Sequence, residues 1–344
     1  MTKPVRWGVL SSADIAVRTV IPAMKQGEMT VIDAIASRDA SRAQAWATQL
    51  GIAKAYGSYE ALLADPDIDA IYNPLPNHLH VPWTIRALEA GKHVLCEKPL
   101  ALTASEAEQV AEASKRTGYL VAEAFMTRHH PQWKALHDMV DSGRIGPLRS
   151  IQTIFSYFLD DPTNLRNQAD IGGGGLYDVG CYAINAARYL FHAEPERVIG
   201  LFDIDPVLRT DRMMTGLAEF ADHRHLSFTC ATQLVPCQSV QLLGTKGRIA
   251  LDIPFNAPPD APTRITIDDG RDLAGGGRDI IEMPAVHQFT LQGDVFSRAV
   301  LGQQPLEWPI ADAIANMRVI DAFFRSARTG EWEALSSFPS TSDL

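Results

Sequence analysis

Val5-Arg6-Trp7-Gly8-Val9-Leu10-Ser11-Ser12-Ala13-Asp14-Ile15-Ala16 is the stretch on which the fold turns. Its first six residues form a short apolar run of strand length. Residues 11–13 are small enough for a tight turn, and Ile15, Val20, Ile21 and Met24 then recur at helical spacing. Strand, tight turn and helix in that order can open a nucleotide-binding unit, in which backbone N–H groups at the helix start face a pyrophosphate. In the dinucleotide fingerprint G-x-G-x-x-G the glycine positions fall here on Ser11, Ala13 and Ala16, so every glycine is replaced by another small residue. Judged alone the motif is weak, and a plain strand, turn and helix is the other reading of the loop.

The surrounding pattern supplies the context. An apolar run at 31–36 and an Ala-rich helix from Ser41 to Leu50 follow, then strands at 53–56 and 69–73, a helix at 80–90, a strand at 93–97, a helix at 103–117 and a strand at 119–123. Strands alternating with helices predict a doubly wound parallel sheet over residues 1–124. From Phe125 the texture changes. A helix at 131–142 leads into strand-like runs at 148–159, 197–205, 213–221, 224–234, 239–243 and 247–253, interrupted by one helix at 178–191. Consecutive strands without intervening helices predict a second, α+β domain over 125–344 with a large, mostly antiparallel open sheet. Residues 254–284, rich in Pro, Gly and Asp, read as a surface excursion or hairpin, and helices at 286–301 and 310–328 close the chain.

The second strand ends at Ala36-Ser37-Arg38, where an NAD enzyme usually offers a carboxylate to the ribose hydroxyls. A serine hydroxyl and a guanidinium suit a 2'-phosphate instead, so NADP is favoured over NAD, with Arg42 a second candidate. The nucleotide-binding candidates here are Ser11, Ser12, Ala13, Ile15, Ser37, Arg38 and Arg42.

Two further stretches carry chemistry. Gly91-Lys92-His93-Val94-Leu95-Cys96-Glu97-Lys98-Pro99-Leu100 places a lysine at the end of a buried strand. Gly172-Gly173-Gly174-Gly175-Leu176-Tyr177-Asp178-Val179-Gly180-Cys181-Tyr182 places an aspartate and a tyrosine four residues apart, on one helix face. These are the parts of an alcohol-to-carbonyl redox site. Removing a hydroxyl proton as hydride departs, and the reverse, need one group able to act both ways. A phenol with a pKa of about 10 serves only if a cation favours its phenolate. Tyr182 is thus the candidate acid/base, Lys98 its electrostatic partner, and Asp178 the residue that orients the substrate hydroxyl and holds the lysine.

With these stretches and Pro76-Asn77-His78-Leu79-His80 assembled, the chain resembles the Gfo/Idh/MocA oxidoreductases over nearly its whole length, most clearly from Trp7 to Leu190. The resemblance implies a Rossmann domain with Lys98 beside the nicotinamide and Asn77 and His80 near its ribose. It adds Leu75, Pro76 and Glu97 to the cofactor-binding candidates, places Asp178 and Tyr182 at the substrate, and implies a homodimer, or a dimer of dimers, built on the second domain's open sheet. A tyrosine at 182, where inositol dehydrogenase-like members carry histidine, is similar to the branch of glucose–fructose oxidoreductase, aldose-oxidising enzymes and dimeric dihydrodiol dehydrogenase.

Other readings stand beside these. A helical tyrosine can be a core residue with a satisfied hydroxyl, Asp178 a helix cap, and Lys98 an exposed turn residue. The glycine run can be a flexible loop or allow close approach to a cofactor. His129 and His130, beside Pro131, suit packing or capping better than catalysis. Arg166 is a candidate for cofactor or sugar contact, as is Asn167.

The net charge of −10 argues against nucleic-acid or anionic-membrane partners. Four isolated cysteines give neither a disulfide framework nor metal-ligand spacing, so no metal site is expected. The apolar strand beginning at Val5 leaves no room for a signal peptide, and no membrane-length apolar run follows; the expectation is a soluble cytoplasmic protein. The expected function is NADP-dependent hydride transfer to or from an aldose or cyclic polyol, with aldose oxidation coupled to aldose reduction if the cofactor is retained. The alternatives are trans-dihydrodiol dehydrogenase or 1,5-anhydrofructose reductase-type activity, a non-catalytic NADP sensor, and a glycosidase using NAD transiently.

Overall fold

A computed structural model describes residues 3–335. They divide into two compact units: residues 3–126 with 287–314, and residues 127–286 with 315–335.

In the first unit, β1 (Val5–Leu10), β2 (Thr30–Ala36), β3 (Lys54–Tyr56), β4 (Ala70–Asn73), β5 (His93–Cys96) and β6 (Val121–Glu123) form one sheet in the order β3-β2-β1-β4-β5-β6. Every pairing is parallel, and the order reverses between β1 and β4. Parallel pairing demands crossovers. These are α1 (Ile21–Met24), reached through a π-helical turn at Ala16–Val20, then α2 (Ala40–Leu50), α3 (Tyr59–Leu63), α4 (Asn77–Glu89) and α5 (Ala104–Thr117). Asp39, Ser58 and Thr103 cap α2, α3 and α5 by accepting from backbone N–H groups of the first turn. The short α3 has no counterpart among the elements expected from the sequence, and α4 begins three residues earlier than its pattern predicts, at Asn77.

The second unit is built on a nine-stranded sheet. Its strands are β7 (Leu148–Phe158), β8 (Pro195–Ile204), β9 (Asp211–Phe220), β10 (Arg224–Ala231), β11 (Gln233–Gly244), β12 (Arg248–Leu251), β13 (Thr263–Asp268), β14 (Arg278–Met283) and β15 (Glu333–Ala334), ordered β14-β13-β12-β11-β7-β10-β9-β8-β15. All neighbours are antiparallel except β7 and β10. Residues 254–284 resolve into the β13–β14 hairpin that extends this sheet. The helices are α6 (Pro131–Asp141) and α7 (Cys181–Phe191), and nearly every residue of α7 is buried.

Two contiguous segments, 1–124 and 125–344, do not describe these units. Helix α8 (Gln288–Val300) packs in the first unit's core: Phe296 lies 5.5 Å from the Trp7 ring, and the Trp7 indole N–H donates to Ser297 Oγ at 3.1 Å. The Asp294 carboxylate accepts from the backbone N–H groups of Glu28 and Met29, and Thr290 donates to the Ala23 carbonyl. An amphipathic helix carries no mark of which apolar face it will cover, so its pattern could not assign it. Helix α9 (Ile310–Thr329) gives residues 315–329 to the second unit, where Phe323 meets Phe228 edge-on at 5.3 Å.

Candidate active site

The nucleotide end is set by the topology of the first unit. Ser11–Ala13 follow β1, Ser37 and Arg38 follow β2, Leu75–Asn77 follow β4, and Glu97 and Lys98 follow β5. All leave the carboxyl edge of one parallel sheet, on either side of the point where strand order reverses, which is where such sheets bind ligands. Ser11 has φ +89°, a left-handed conformation that side chains resist and that the first fingerprint glycine ordinarily supplies. The loop therefore keeps the glycine geometry without the glycine. Ser11 N–H donates to the Ala36 carbonyl, and Arg42 Nη2 donates to the Ser12 carbonyl at 3.2 Å, so Arg42 braces this loop. Ser12 is buried, whereas Ala13 is half-buried and Ile15 is exposed at the helix start. Ser37 is buried and its Oγ accepts from Asp39 N–H. Among the described residues, the exposed Arg38 guanidinium has no hydrogen-bond or ion-pair partner.

The lysine loop is held from several sides. Tyr72 donates to Glu97 Oε1 at 2.7 Å, Lys98 N–H points to Glu97 Oε2, and Leu100 N–H donates to Glu123 Oε1 at 2.7 Å. Lys98 is half-buried. His80 is held between two loops of this unit. Its fully buried ring sits with Nδ1 2.8 Å from the Pro99 carbonyl and Nε2 2.6 Å from the Leu75 carbonyl. Burial outweighs those carbonyls and pushes its pKa down to about 4, so near pH 7 the ring is neutral and its single N–H donates to one of the two carbonyls. Leu75 is buried, while Pro76 and Asn77 are half-buried at the start of α4. Lys92 is structural: its Nζ donates to the carbonyls of Asp65 and Ile68, each at 2.7 Å.

The candidate substrate residues Asp178 and Tyr182 lie in the second unit. The helix carrying Asp178 opens with a π-helical turn at Leu176–Gly180 that continues into α7, a distortion frequent at functional sites. Asp178 Oδ2 accepts from the Tyr157 hydroxyl and from Arg166 Nε at 3.1 Å. Arg166 thus serves the aspartate within this unit. Tyr182, buried, meets Phe155 edge-on at 5.6 Å and Phe255 at 5.4 Å. Strand alternation explains the pairing, because Phe155 and Tyr157 share one face of β7 with buried Ile151 and Thr153.

The glycine run has a cause that the sequence did not disclose. A Cβ on Gly173 would fall 2.6 Å from the Arg166 carbonyl oxygen, and Gly174, at φ +119°, would drive one into the Asp211 carboxyl group. That carboxyl, buried at the start of β9, accepts from the backbone N–H of Leu176 at 2.6 Å and caps the helix from outside it. Burial pushes its pKa up to about 7 against the opposing backbone N–H groups of Leu176, Asp211 and Gly175. Asn167 donates to the carbonyls of Leu159 and Asp161, which closes its own loop. His130 caps α6 through Nδ1, which accepts from Gln132 N–H, and burial lowers its pKa to about 4 and that of His129 to about 3.

Residues 6–125 match the model of the oxidoreductase family with an NAD-binding Rossmann fold, and residues 133–250 match the GFO/IDH/MocA C-terminal domain. The chain belongs to the Gfo/Idh/MocA oxidoreductase family. It is 37% identical over 326 residues to D-xylose 1-dehydrogenase (NADP(+)) 2 of Haloferax volcanii, covering 94% of this chain and 98% of that one. A crystal structure of a 3-ketoreductase from Actinomadura kijaniata in complex with NADP and TDP-benzene superposes with TM-score 0.88 at 33% identity, covering 94% and 98% of the two chains. Aldose–aldose oxidoreductase from Caulobacter crescentus, complexed with glycerol, gives TM-score 0.89 at 27% identity over 97% and 100%. This Gfo/Idh/MocA chain is accordingly an oxidoreductase with the family's α/β architecture, and no helix among its described residues is long and apolar enough to cross a membrane.

Proposed function

We propose that the protein is an NADP-dependent oxidoreductase acting on the anomeric or secondary alcohol of an aldose or cyclic polyol. The observation that carries this reading is the substrate end of the second unit: Asp178, fixed by Tyr157 and Arg166, lies one turn before Tyr182. The unpartnered Arg38 beside Ser37 fits a 2'-phosphate, and the NADP named for the xylose dehydrogenase and present with the 3-ketoreductase supports the same cofactor. When bound, NADP supplies or accepts the hydride.

The chain's own residues handle the proton. The Tyr182 hydroxyl takes the proton of the substrate hydroxyl in oxidation and returns it in reduction. Its aromatic walls exclude water, and the Lys98 ammonium is assigned the charge that favours the phenolate. Asp178 accepts a hydrogen bond from a substrate hydroxyl and orients it. A second reading, reduction of a ketone on a nucleotide-linked sugar, draws on the 33% likeness to the 3-ketoreductase and uses the same residues. A homodimer is supported by Ile154, Leu201 and Leu217, exposed large apolar side chains on β7, β8 and β9. A cytoplasmic location accords with the isolated spacing of the four cysteines along the chain.

The test is turnover of the purified protein with NADP+ or NADPH across aldoses, cyclic polyols, trans-dihydrodiols and keto sugar nucleotides, with Tyr182→Phe in parallel. Turnover confined to an aldose or polyol and lost at least about 100-fold in the variant, with NADP binding retained, supports the proposal. Undiminished turnover in Tyr182→Phe removes the tyrosine from its role.

A further inference from the structure

At the far end of α7 from Tyr182, about 15 Å along the helix at 1.5 Å per residue, side chains 55 residues apart in sequence gather into a second polar cluster. His137 and Asp141 stand four apart on α6 and so share a face. His192, the residue after α7, adopts φ +49° and ψ +39° and thereby turns its ring back toward α6. His192 Nε2 lies 2.9 Å from Asp141 Oδ1, and His137 Nδ1 lies 3.5 Å from Asp141 Oδ2. One donor atom from each residue lies within 4.8 Å of the others. Both rings are held in place: His137 stacks on Tyr189 at 4.6 Å and meets His192 edge-on at 4.7 Å.

One hydrogen bond, between His192 and Asp141, accounts for only part of this arrangement. The His137 spacing exceeds that of a good hydrogen bond, and a non-glycine residue is kept in the left-handed region to bring His192 in. A tetrahedral ion with ligand bonds of 2.0–2.2 Å separates its donor atoms by about 3.3–3.5 Å. Of the two spacings, each to a different oxygen of Asp141, 3.5 Å falls in that range and 2.9 Å is shorter, and with all donor atoms within 4.8 Å side-chain rotations would bring three corners into place. Two imidazole nitrogens and one carboxylate oxygen suit zinc, nickel or copper and disfavour calcium and magnesium, which take oxygen ligands. The Asp138 carboxylate, 4.0 Å from His137 Nδ1, is a further oxygen at the rim.

We propose that His137, Asp141 and His192 form a surface binding site for a divalent transition-metal ion of the zinc class, one that pins the end of α6 to the end of α7 and leaves a position open to water. The site is separate from Asp178 and Tyr182 and does not depend on the proposed redox function.

The experiment uses the full chain freed of any affinity tag. Zn2+ is titrated by calorimetry, Co2+ by visible absorption, and melting is followed with and without Zn2+. His192→Gly is the informative variant, because glycine suits the left-handed backbone and removes the ligand. It should melt at or above the wild-type temperature without metal, yet bind Zn2+ at least about tenfold more weakly and lose the metal-induced rise in melting temperature. Asp141→Asn, a substitution at a side chain that is 49% exposed, should weaken Zn2+ similarly while the circular dichroism is unchanged. Absence of saturable one-to-one binding in the wild type, or equal affinity in either variant, overturns the proposal.

Discussion

A buried carboxyl group governs the backbone that presents the candidate catalytic pair. With its pKa raised by burial to about 7, Asp211 is protonated over a pH range in which the unfolded chain, near 3.9, has already lost that proton. The folded state therefore binds more protons than the unfolded one between about pH 4 and pH 7, and the stability this group contributes is present below that window and lost as pH rises through it. A window of that width bounds the contribution at roughly 4 kcal/mol. Asp211→Asn should flatten the decline, which urea unfolding at pH 5 and pH 8 measures; equal slopes in both proteins would exclude Asp211 as the source. At the nucleotide end, Arg38→Ala should raise KM for NADP at least about tenfold and leave that for NAD nearly unchanged. Equal losses for both cofactors would show that the guanidinium does not read a phosphate.

At the scale of elements, the loop from Gly172 to Gly175 is a packing solution more than a flexible hinge. Gly174→Ala would combine a side chain at φ +119° with displacement of the Asp211 carboxyl that caps the following helix, and should cost about 3 kcal/mol or more. Chemical denaturation checks the value, and a loss below about 1 kcal/mol would mean the loop can shift aside. What could be read in advance follows a physical division. Alternating strands and helices announced β1 to β6, and the four-residue spacing of Asp178 and Tyr182 announced their shared helix, because both are periodicities of nearby residues. Tyr157 could have been sought by two-residue alternation from Phe155 once β7 was recognised. Asp211 gave no such signal: a single acidic residue opening a strand becomes a cap only when the sheet brings β9 against the N–H of Leu176, 35 residues earlier. The same reason hid the buried role of His80, whose partners are backbone carbonyls and leave no sequence pattern.

For the whole molecule, chain order and compact unit part company at α8. Its Phe296 and Ser297 complete the packing around Trp7, a residue of β1 at the centre of the first sheet, although nearly 290 residues of chain lie between them. Loop closure over such a length costs only logarithmically more than over a short one, so burial of the Trp7 face can offset it. Phe296→Ala should then destabilise the first unit by about 3–5 kcal/mol, the range for emptying a buried aromatic site. Because the second unit has its own core around α7 and Phe323, the damage should be local. Hydrogen exchange read strand by strand should show amides of β1 and β4 losing protection while those of β7 and β10 keep theirs. Equal loss in all four strands would instead mean that the two units unfold as one cooperative body, and loss confined to β7 and β10 would place α8 with the second unit.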